Sequence, residues 1–81
     1  MDISDWNWVV NTNDKTCRNL ENAVIIRMEN DGNNLRGTLQ DMPMQLFTEI
    51  SKYGDGEKII ERIVKTAEKK YLENRSGHLV V

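Results

Sequence analysis

Residues 23–40 read AVIIRMENDGNNLRGTLQ, and their pattern decides the fold. Ala23 to Glu29 is β-branched and apolar, Asp31-Gly32-Asn33-Asn34 supplies residues that tolerate positive φ, and Leu35 to Gln40 alternates. Two such runs around such a turn form an antiparallel hairpin. Strand side chains switch faces at every residue, so Val24, Ile26 and Met28 point to the core in the first arm. In the second arm Leu35, Gly37 and Leu39 share one face and Arg36, Thr38 and Gln40 the other, the pattern of a sheet wetted on one side.

Upstream, Trp6, Trp8 and Val10 alternate with Asn7 and Val9, which predicts a short strand over about residues 6–10. Asn11-Thr12-Asn13-Asp14 is turn chemistry, and residues 11–22 read as a loop. Downstream, Pro43 suits the first turn of a helix, with Asp41 ahead of it as a cap. Leu46, Phe47 and Ile50 recur at helical spacing over about ten residues, and Gly54 and Gly56 around Asp55 end that helix. A second helix is predicted from about Glu57 to Asn74. Ile59, Ile60, Ile63, Val64, Ala67 and Tyr71 form its apolar stripe, opposite Lys58, Glu61, Arg62, Lys65, Glu68 and Lys69.

Strands first and helices after predict an α+β fold. The expected layout is a small antiparallel sheet of about three strands, including the 23–29/35–40 hairpin, followed by two helices packed on one face. Residues 1–75 form a single domain and 76–81 a tail, in which Leu79-Val80-Val81 is either frayed or an extra edge strand. No repeat or low-complexity block interrupts the 81 residues.

Such a small domain buries only about 60% of the surface its unfolded chain exposes, so a staple or a partner is expected. With one cysteine, Cys17, and one histidine, His78, near opposite ends, neither an intrachain disulfide nor a zinc site is available. Self-association as a homodimer is the remaining expectation. Apolar runs are far shorter than the ~20 residues of a membrane span, and the acidic N-terminus is unlike an export signal, which predicts a cytoplasmic chain without membrane contact. Residues 1–56 carry five basic against nine acidic residues and 57–81 six against four, too mild a gradient for an obligate nucleic-acid partner.

Catalytic chemistry is thin. A nucleophile needs a converging base, and Cys17 with His78 is the sole thiol–imidazole pair. Asp41 with Glu49, and Asp55 with Glu57, read as helix-end residues rather than an acid–base pair. Gly54-Asp55-Gly56 lacks the Lys and Ser/Thr of a phosphate loop, and Asp31-Gly32-Asn33-Asn34 lacks the glycine and glutamate positions of a calcium loop. No enzyme activity, cofactor or metal is expected.

Trp6 and Trp8 stand out, since indoles are enriched at buried interface centres, and Met42 and Met44 flank Pro43 as adaptable apolar residues. These four are the candidate partner-binding residues of a non-enzymatic domain that works by binding a protein partner or itself. From Leu35 onward, a strand followed by Met42-Pro43-Met44-Gln45-Leu46 and two helices split by a glycine turn resembles the ribbon-helix-helix DNA-binding proteins over about residues 35–74. The resemblance implies a small DNA-binding regulator whose outward strand residues, Arg36, Thr38 and Gln40, read the major groove. In that family the residue before the proline faces the core. Strict alternation back from Met42 would turn those three inward, and a bulge near Asp41 would restore their outward phase.

Overall fold

A computed structural model describes Ile3 and residues 5–77. The elements are β1 (Val9–Asn11), β2 (Thr16–Asn19), β3 (Val24–Asp31), β4 (Asn34–Asp41), α1 (Met44–Ser51) and α2 (Gly56–Gly77). The strands form one antiparallel sheet in the order β1-β2-β3-β4, a meander in which each strand pairs with its sequence neighbour. The α+β class and the central hairpin are as the sequence predicts. Its turn is two residues long, with Gly32 at φ 65° in the first central position, where glycine is favoured.

Two local readings are corrected. The first strand lies at Val9–Asn11, so Trp6 and Trp8 precede it, and the stretch read as a loop contains β2 at Thr16–Asn19. The missed strand has a local cause. β1 to β2 and β2 to β3 are joined by four-residue turns, each opened by an asparagine and closed by a residue with positive φ, Lys15 at 58° and Ala23 at 56°. In the first turn Asn11 Oδ1 accepts the amides of Asn13 and Asp14 at 3.0 and 3.1 Å. In the second Asn19 Oδ1 accepts the amide of Asn22 at 2.8 Å. Side-chain oxygens thus substitute for the backbone bonds that a tight turn leaves open.

The core face of the sheet carries the row Val10, Cys17, Ile26 and Leu39, one residue from each strand. α2 lies over this face and buries Ile59, Ile63, Ala67 and Tyr71, while Ile60 and Val64 are half-buried. α1 adds Leu46 and Ile50. It begins at Met44 with Pro43 at the N-cap and no side-chain cap bond, so Asp41 is the last residue of β4 and not the expected cap. The final Leu79-Val80-Val81 lies outside the described residues. Among those residues no helix is long and apolar enough to cross a membrane.

Between β3 and β4 the register slips. Leu39 pairs with Ile26 but Asp41 pairs with Ile25, leaving Gln40 as an extra residue. This is the bulge near Asp41 that strict alternation required, and it allows Arg36 and Thr38 to be exposed while Met42 packs partly against the core.

Candidate functional site

Where β4 runs into α1, Pro43 ends one element and starts the other, and the apolar residues on either side of it fan out. Leu39 and Met42 are half-buried, Met44 is 76% exposed and Phe47 is 47% exposed. With Gln40 and Asp41 they line an open groove of about 340 Å³. An amphipathic helix of eight residues seats only Leu46 and Ile50 in this small core, so Phe47, placed by spacing on the apolar stripe, is left at the rim. The exposed apolar side chains gather here around a concavity instead of scattering singly over the surface.

The other candidates fall elsewhere. Trp6 and Trp8 are half-buried against the core with ring centroids 6.0 Å apart at 48°, and they border a polar recess with Lys70 and Asn74. The Trp8 indole N–H is buried without an acceptor among the described residues. Both indoles cover the end of the core beside α2, and the structure does not bring them together with Met42 and Met44.

Arg36, Thr38 and Gln40 are exposed. The pairing adds what spacing alone does not show. Arg18 lies opposite Ile25, Arg27 opposite Thr38 and Arg36 opposite Glu29, so the three arginines form a diagonal across β2, β3 and β4 on the open face. Diagonal neighbours on a sheet are ~7–8 Å apart. Glu29 flanks the diagonal, opposite Arg36 and 3.8 Å from Arg27, the latter a solvent-exposed pair of little energetic weight.

Cys17 is fully buried in β2, with its thiol 3.3 Å from the carbonyl oxygen of Ala67, and burial pushes the thiol up to about 11 from its ordinary 9.0. A thiol so placed is a core side chain and a poor nucleophile. Its elevated folded value means that the unfolded chain releases this proton first as pH rises. The thiol's contribution is therefore full below pH 9 and fades as pH climbs through 11. Relative to Cys17→Ala, the protein is expected to lose on the order of 1 kcal/mol of unfolding free energy between pH 8 and pH 10. Urea titrations at the two pH values check this, and parallel pH dependence in protein and variant would refute it.

Among the described residues no group of three His, Cys, Asp or Glu side chains is placed to hold a metal ion. No family model, curated protein or solved structure matches the chain.

Proposed function

We propose that this chain is a non-enzymatic association module that engages a protein surface, either a partner's or that of a second copy, through the groove at the β4–α1 corner. The observation that carries this reading is the exposure of Met44 and Phe47 around a concavity floored by Leu39 and Met42. Methionines adapt to irregular apolar partners, and an aromatic side chain at the rim of an apolar groove is suited to anchor one.

The double variant Met44→Ser/Phe47→Ser removes the rim while touching little of the core. Its thermal midpoint is expected to stay near the parent's, and association is expected to weaken at least tenfold, in line with the loss of an anchor residue. Sedimentation velocity over a concentration series reads self-association, and quantitative capture from source cells, with and without nuclease, reads other partners. A parent that sediments as a monomer and captures nothing beyond the double variant would sink the proposal.

A second reading, nucleic-acid binding by the open sheet face, is supported by the Gln40 bulge and by the arginine diagonal. It predicts recovery that collapses with nuclease. Each of Arg18, Arg27 and Arg36 that meets a phosphate would then contribute about 0.9 to the salt slope on duplex DNA.

A further inference from the structure

Among the described residues β4 is an edge strand of eight residues, paired on one side with β3 and open on the other. Such an edge presents unpaired backbone groups to any extended chain, including another copy of itself. One of these groups is not free. Gly37 lies opposite Met28, whose amide donates toward β2, to the carbonyl of Lys15 at 2.7 Å. By the alternation of antiparallel ladders the Gly37 amide therefore points outward, away from β3. It donates to Glu68 Oε2 at 2.6 Å, a carboxylate that reaches over from α2 thirty-one residues later in the chain.

We propose that Glu68 is an edge guard that keeps β4 from pairing with β4 of a second copy. The contact sits near the middle of the strand, where a single occupied donor interrupts any incoming ladder. β4 is otherwise suited to self-pairing. Antiparallel alignment about a two-fold axis at Gly37 sets Leu35 opposite Leu39 on the core side and Arg36 opposite Thr38 on the open side. In that alignment the two Glu68 carboxylates meet at the axis, so like-charge repulsion adds to the loss of two short charge-assisted hydrogen bonds. Glycine at 37 leaves room for the guard to close, because a Cβ there would lie 3.0 Å from Val64 Cγ1 and 3.1 Å from Glu68 Cγ and one of them would have to give.

The test compares Glu68→Ala and Glu68→Gln, each built into the Met44→Ser/Phe47→Ser chain so that association through the groove is already removed. Amide hydrogen exchange and sedimentation equilibrium are measured on the same samples. The Gly37 amide is expected to be protected in the chain that retains Glu68 and in the Glu68→Gln variant, since carboxylate and carboxamide both keep an acceptor oxygen. In dilute Glu68→Ala it is expected to exchange at least tenfold faster. Raising the concentration of Glu68→Ala is expected to produce a dimer at least tenfold tighter than any formed by the Glu68 chain, with new protection at Leu35 and Leu39. A Glu68→Ala chain that stays folded, with Gly37 deprotected, and sediments as its Glu68 counterpart does would overturn the guard. So would a Glu68 chain that already dimerises with Leu35 and Leu39 protected.

Discussion

Asn19→Ala is expected to destabilise the protein by about 3 kcal/mol, because one buried side chain closes two separate pieces of backbone. Asn19 is fully buried at the end of β2. Its Nδ2 donates to the carbonyl of Asn7 at 2.9 Å, which fastens the segment carrying Trp6 and Trp8. Its Oδ1 accepts from the backbone and side-chain amides of Asn22 at 2.8 and 3.0 Å, which shapes the turn into β3. Alanine strands these groups in a partly buried setting, and each stranded polar group costs about 1–3 kcal/mol. For a domain of this size the thermal midpoint should fall by roughly 12–24 °C. Asn19→Asp keeps the acceptor but loses the donor and buries a charge, so it should be no better than alanine. Tryptophan fluorescence during urea unfolding measures both variants, and a cost below ~1 kcal/mol for alanine would show that the turn closes without this side chain.

Asn19 also shows where the sequence stops being legible. The β3–β4 hairpin and α2 carry their periods openly, two in Val24, Ile26 and Met28 and near 3.6 from Ile59 to Tyr71, and the structure follows both. β2 has no such period. Of Thr16, Cys17, Arg18 and Asn19, three are buried, but only one is an apolar residue, so the buried asparagine reads in the sequence as one more turn former. The tryptophans fail for the opposite reason. Their alternation is real, yet the ladder begins only at Val9, and the indoles cover the core from the segment before it.

The candidate site is legible in half. Composition singles out Met42 and Met44, whereas spacing puts Phe47 on the apolar stripe, since spacing gives the face of a short helix but not how much core exists to receive it. The arginine diagonal depends on the β2–β3 and β3–β4 registers, and no reading that leaves out β2 can assemble it. The Gln40 bulge is, from the sequence, a condition for exposing Arg36 and Thr38. Strand alternation alone does not decide whether it forms.

Gly37→Val is the second large effect expected, about 2–3 kcal/mol, and its cause is the distance between β4 and α2. In sequence Gly37 is a gap between Leu35 and Leu39. In the fold it lets α2 approach until an added Cβ would lie 3.0 Å from Val64 Cγ1 and 3.2 Å from Glu68 Oε2. The Val64 contact is with a stiff β-branched side chain on the helix that covers the core, so the collision is relieved only by shifting α2 or bending β4. Gly37→Ala should cost about 1 kcal/mol, because the smaller collision is partly offset by the lower entropy of the unfolded alanine chain. If the helix contact is the cause, trimming the partner must help. Val64→Ala is expected to recover at least about 1 kcal/mol of the Gly37→Val loss in a double-mutant cycle, although alone it destabilises. Additive costs for the two substitutions would place the origin of the glycine requirement in the strand backbone instead of in the packing of α2.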